Sequence, residues 1–194
     1  MDSTTATLIG AIVVMVIFSA YFSATETAFS SLNKIRLRSK AEAGDTRAAL
    51  TLSIADEYDR MLSTILIGNN IVNITASTLG TVLFTRLFDA YGPTISTVVL
   101  TAVVLIFGEI SPKSIAKESP ERFAMWASPL LRVLLVILRP LNFLFSQWKR
   151  LLSHIIRPAD GEGITEDELI TMVSEAENEG GLDQHESQLI RSAI

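Results

Sequence analysis

The chain has 194 residues, 48% of them apolar, with 21 acidic side chains against 16 basic for a net charge of −5. That is too apolar for an ordinary soluble domain, and nothing in it points to a nucleic-acid partner. No cysteine is present, which excludes disulfides and thiolate metal sites.

Apolar residues gather into runs at 6–24, 61–84 and 94–110, each near the roughly 20 residues that cross a bilayer as a helix. The first run lacks the basic leader of a signal peptide. Its polar exit "SATETAFSSLNK" (23–34) continues in helical register, which predicts a retained helix. Lys34, Arg36, Arg38, Lys40 and Arg47 follow it, while only Asp2 precedes it. The positive-inside rule therefore puts the N-terminus outside and residues 33–60 in the cytoplasm. The second run leads outward to "DAYGPT" (89–94), where Gly92-Pro93 breaks the helix. The third returns inward and ends among Lys113, Lys117 and Arg122.

The apolar run at 123–145 reads differently. At 100° per residue, Ser128, Arg132, Arg139, Asn142, Ser146 and Arg150 fall within about 100° of arc. Burying two arginines at mid-bilayer would cost roughly 2.5–3.5 kcal/mol each. An amphipathic helix along the cytoplasmic interface, in contact with membrane lipid, is expected instead. Ser119 is its predicted N-cap, Pro120 its first residue, and Pro140 its kink.

Residues 159–194 hold ten acidic side chains and one basic, Arg191. "TEDE" (165–168) reads as a capping box, Gly180-Gly181 as a helix end, and "DQHE" (183–186) as the start of another helix. "DGEGITEDE" (160–168) lacks the acidic spacing of an EF-hand. The last helix is still running at Ile194, so a further domain is expected downstream. The fold expected is an all-α membrane protein with three transmembrane helices, a juxtamembrane amphipathic helix and a short acidic helical bundle. Residues 1–152 form the membrane part and residues 153–194 the cytoplasmic part.

Each span carries a polar stripe. Ser19, Ser23, Glu26 and Ser30 lie within about 60° on the first; Ser63, Asn70, Asn73, Ser77 and Thr81 lie within about 80° on the second. On the third, Thr101, Gly108 and Pro112 lie within about 40°, and Glu109 about 60° further round. Small polar residues often serve only to pack membrane helices. An intramembrane carboxylate such as Glu109 points to function, although Lys113, four residues on, offers an intrahelical ion pair as the plainer role.

Pro112 in "LIFGEISPKSIAK" (105–117) cannot donate to the Gly108 carbonyl four residues earlier. That oxygen would be freed beside Glu109, and broken helices of this kind coordinate cations in many transporters. Pro112 and Lys113 are the expected helix break and gate. With a 1.5 Å rise and a ~30 Å core, Ser19, Asn70, Ser23, Gly108 and Glu109 come to similar depths, nearer the cytoplasm. Their donors are all oxygen, which selects a hard cation: Mg2+, Ca2+, Na+ or Mn2+.

Four stretches carry a resemblance: "FSATETAFSSLNKIRL" (22–37), "LIGNNIVNI" (66–74), "GEISPKSIAK" (108–117) and the acidic residues 166–194. With them the chain resembles the membrane domain of the CorC/cyclin-M magnesium transporters. The resemblance implies a homodimer in the cell membrane that exports Mg2+, with Na+ entry as the driving exchange. It also implies Ser19, Ser23, Asn70, the Gly108 carbonyl and Glu109 as the ion ligands. The family usually continues into paired nucleotide-binding CBS domains, which this chain stops short of.

Two other classes compete. A sensor or scaffold would use the polar faces only for packing and would position a downstream soluble domain. A hydrolase would need a base near Ser23 or Ser111, yet His154 and His185 lie outside the spans, so no enzyme is expected.

Overall fold

The computed structural model describes residues 2–155, 166–178 and 183–193, and all regular structure among them is helical. The chain forms two compact units, 1–144 and 145–194.

Helix α1 spans Ser3–Ser31, continuing past the apolar run through "SATETAFSS" as its register predicts. Its two halves differ. Ile9, Val13, Val14 and Ile17 are exposed, whereas Ser19, Tyr21–Thr25, Ala28 and Phe29 are buried. The C-terminal half of α1 is thus the centre of the unit.

Leu32 turns extended and Asn33 caps α2 (Lys34–Glu42), its side-chain oxygen accepting from the Arg36 N–H at 3.0 Å. Asp45 does the same for α3 (Thr46–Asp56) through the N–H groups of Arg47 and Ala48. Lys34 at the start of α2 donates to the Ala55 carbonyl at the end of α3, so the two short helices run back to back.

Two stretches are long and apolar enough to cross a membrane, Ser3–Ser31 and the 61-residue Tyr58–Glu118. The longer one doubles back. Helix α4 (Tyr58–Phe88) reaches a tight turn where Asp89 takes φ 46°, and α5 (Gly92–Val103) returns alongside it. Gly80 lies against Leu100 and Ser96, and Gly92 against the Thr85 backbone, the spacing of an antiparallel hairpin. The Gly92-Pro93 breaker is therefore where the sequence puts it. A Cβ at Gly92 would stand on the Thr85 backbone, which cannot swing aside as a side chain would. Gly92→Ala should cost about 1–3 kcal/mol of stability, read as a lowered thermal-unfolding midpoint in detergent.

Beyond α5 the chain stays helical. Residues Val104–Ile110 form a π-helical turn, and α6 (Ser111–Glu118) follows directly. The expected break between Gly108 and Pro112 is corrected accordingly. The Ser111 N–H bonds back to the Ile106 carbonyl, five residues earlier. The helix runs through the wider turn and past Pro112 without interruption, while Pro112 still has no N–H to give the Gly108 carbonyl.

Helix α7 (Pro120–Ile137) starts at Ser119-Pro120 as expected, although the Ser119 side chain makes no capping bond. It packs through Ala124, Ala127, Ser128, Leu131 and Leu135, and the Tyr21 hydroxyl donates to the Ala127 carbonyl at 2.8 Å. Helix α8 (Arg139–Ile155) follows, and its first residues, Arg139–Phe145, leave α7 at 68°, the bend expected from Pro140. This bent pair makes a third candidate crossing if taken as one span.

The polar stripe of α7 and α8 does not all face outward. Arg132 and Arg139 are exposed, but Ser128 and Asn142 are buried. The Ser128 and Thr51 hydroxyls lie 2.7 Å apart, and the Asn142 amide donates to the Thr64 hydroxyl at 2.7 Å. Threonines distant in sequence supply these partners, so the helix is tied to the protein.

In the second unit, α9 (Glu166–Asn178) and α10 (Gln184–Ala193) are joined by a hydrogen bond from the Ser187 hydroxyl to Glu177 at 2.6 Å. "DQHE" forms a reciprocal capping box. Asp183 accepts from the His185 and Glu186 N–H groups, and Glu186 accepts from the Asp183 N–H. The roles expected of Thr165, Gly180 and Gly181 lie outside the described residues.

Candidate cation site

The site forms where α1, α4 and the π turn meet. Ser19 and Ser23 are four residues apart on α1, one above the other on the same face, and both are fully buried. The Ser19 hydroxyl donates to the Asn69 side-chain oxygen on α4 at 3.2 Å. From the other side comes Gly108. A Cβ there would sit 2.9 Å from the Ser19 hydroxyl oxygen, so the missing side chain lets the π turn pass directly against α1.

One oxygen here has no partner: the Ser23 hydroxyl is buried without a hydrogen bond, as is the Asn73 side-chain oxygen one turn beyond Asn69 on α4. Leaving such a group unsatisfied costs about 1–3 kcal/mol, a cost a bound ion or water removes.

Glu109 follows Gly108 on the π turn, half-buried. It makes no hydrogen bond or ion pair with any described residue. The intrahelical pair that would give it a plain structural role does not form, because Lys113 turns to Glu26 on α1 at 3.5 Å. The carboxylate near the exit of α1 thereby holds the lysine, and Glu109 is left without an ion-pair partner among the described residues.

Of the residues singled out in the sequence, Ser19 and Gly108 come together, with Ser23 one turn further along α1 and Glu109 next to Gly108 in the chain. Pro112 lies in the first turn of α6. Asn70 is exposed, its amide donating to the Leu66 carbonyl of its own helix at 2.9 Å. Neighbouring helical residues point about 100° apart, so Asn69 and Asn70 cannot both face α1. Asn69 is the one that does, with Asn73 one turn further along α4. That spacing was the available signal for them.

Residues 10–186 match the family described as Cyclin M transmembrane N-terminal domain. A UPF0053 protein from Haemophilus influenzae is 38% identical over 187 residues, covering 95% of this chain and 44% of that relative. The UPF0053 inner membrane protein YfjD of Escherichia coli is 44% identical over 138 residues, 71% of this chain and 32% of the relative. A Haemophilus influenzae protein named polyamine export protein is 25% identical over 197 residues, 94% of this chain and 46% of the relative. The chain spans less than half the length of each of these three relatives. It belongs to the cyclin M transmembrane family, a family of membrane proteins.

Proposed function

We propose that this member of the cyclin M transmembrane family is a secondary transporter that exports Mg2+ across the cell membrane in exchange for entering Na+. In this reading it works as a homodimer, with the N-terminus outside and the C-terminus in the cytoplasm. The observation that carries the proposal is Glu109 beside Gly108, without an ion-pair partner among the described residues, with the buried Ser23 hydroxyl lacking any partner nearby. A hard cation satisfies both at once.

Ser19, Ser23 and Asn69 would supply neutral oxygens, Gly108 its carbonyl, and Glu109 the charge. Such a set suits Mg2+ better than a softer metal. One carboxylate leaves a divalent ion partly unneutralised, so binding is modest, as befits cargo that must leave. Lys113, held by Glu26 across the gap between α1 and α6, would gate the inner mouth.

One relative is named for polyamine export. A polyamine carries several ammonium groups in a row. Here a single carboxylate is left over for cargo, since Glu26 already holds Lys113, and that favours a compact ion.

The test is thermal unfolding of the purified chain against Mg2+ and, separately, spermidine. Mg2+ should raise the midpoint of the wild type and leave that of Glu109→Gln unmoved. Stabilisation by spermidine alone would transfer the site to the polyamine reading. Tight Mg2+ binding with no flux under any ion gradient would make the chain a sensor or scaffold.

A further inference from the structure

The α4–α5 hairpin holds a cleft of about 230 Å3 on the turn side of the site just described. Asn73, Ser77 and Thr81 face it from α4; Ser96, Thr97 and Thr101 face it from α5. The remaining lining is aliphatic, and no charged side chain takes part.

Three of these six side chains, Asn73, Thr81 and Thr97, are arranged as acceptors. Thr81 already donates its hydroxyl proton to the Ser77 carbonyl, and Thr97 donates its own to the Pro93 carbonyl, each at 2.9 Å. A hydroxyl that donates to its own helix presents only lone pairs outward. The Asn73 side-chain oxygen, an acceptor by nature, is buried and takes no hydrogen bond. Three acceptors with no charged side chain beside them favour a cation over an anion.

Charge then narrows the choice. A divalent ion surrounded by neutral oxygens keeps most of its desolvation penalty, while a monovalent ion incurs far less. At about 30 Å3 per water, the cleft holds roughly seven waters, so an ion there keeps part of its hydration shell. Position narrows it further. Asn73 is one turn from Asn69, which holds Ser19, so the cleft continues the first site along one face of α4 toward the hairpin turn.

We propose that this cleft is a second cation site that takes a partly hydrated Na+ from the turn side of the hairpin. The inference deepens the transport reading by giving the exchanged ion a place separate from the Glu109 site. It rests on that reading only for the direction in which ions move.

The test is the unfolding midpoint of the full chain in detergent, titrated with NaCl while choline chloride holds ionic strength constant. Na+ should stabilise the wild type and choline should not. Removing two hydroxyl ligands in Ser77→Ala/Thr97→Val should raise the Na+ concentration needed about tenfold and leave the Mg2+ response intact. Thr97→Ser, which keeps the hydroxyl, should retain the Na+ response. Glu109→Gln should lose the Mg2+ response and keep the Na+ one. Sodium NMR line broadening on the wild type reads the same site with no substitution at all.

Equal effects of Na+ and choline, with no broadening, would overturn the proposal. So would a Na+ response lost in Glu109→Gln yet untouched in Ser77→Ala/Thr97→Val, which would place Na+ at the first site. Loss in Thr97→Ser as complete as in Thr97→Val would make the effect one of packing and would also overturn it. A failure of the Mg2+ reading appears in the Mg2+ titrations alone, so the two outcomes separate.

Discussion

Glu109→Gln in proteoliposomes is expected to reduce Mg2+ flux at least about a hundredfold while the protein remains folded and inserted. The substitution keeps the shape of the side chain and removes only its charge. No other described residue pairs with that charge, since Lys113 is taken by Glu26. A hundredfold loss in occupancy, from losing the one carboxylate that offsets the ion's charge, corresponds to about 2.7 kcal/mol. Flux through Glu109→Gln within a few-fold of the wild type would remove Glu109 from the site. Lys113→Met offers a contrast: it leaves Glu109 in place, and binding should persist even if the inner mouth leaks.

Gly108→Ala is expected to abolish transport with little change in stability, and the reason is a near cancellation. Alanine favours the helix over glycine by about 1 kcal/mol. The added methyl stands 2.9 Å from the Ser19 hydroxyl oxygen, and crowding of that kind costs about 1–3 kcal/mol. Stability therefore moves by roughly 1–2 kcal/mol at most. The gap between α1 and the π turn, however, is filled. The Mg2+-dependent rise in the unfolding midpoint should vanish, while far-ultraviolet circular dichroism stays that of the wild type. Retained Mg2+ stabilisation in Gly108→Ala would show that the ion does not sit between these two elements.

Much of the architecture was legible because its causes are local. The register of α1 through Ser31, the turn at Gly92-Pro93, the Asp183–Glu186 capping box and the bend beside Pro140 all follow from a few adjacent residues. The π turn was not legible. Pro112 announces that one donor is missing, but whether the helix breaks or widens depends on what packs against it, here α1 through Ser19 and Gly108. Asn69 and Asn70 posed a similar difficulty, because a polar arc drawn about 80° wide cannot rank two residues about 100° apart when the neighbouring helix is unknown. The inward turn of Ser128 and Asn142 depends on Thr51 and Thr64, more than seventy positions away in each case. Nor could spacing alone reveal that Lys113 would choose Glu26 on another helix over Glu109 on its own.

The unequal halves of α1 carry a mechanical consequence. Within one chain the C-terminal half of α1 is gripped by the large buried cluster, while its N-terminal half meets the hairpin only through the small cluster of Ile12, Leu83 and Leu100, like tweezers with lightly touching tips. Less buried packing is lost when the tips part than when the base yields, which breaks the larger cluster and its hydroxyl ties. Opening and closing should therefore be concentrated at the hairpin end, with the base serving as a stationary fulcrum.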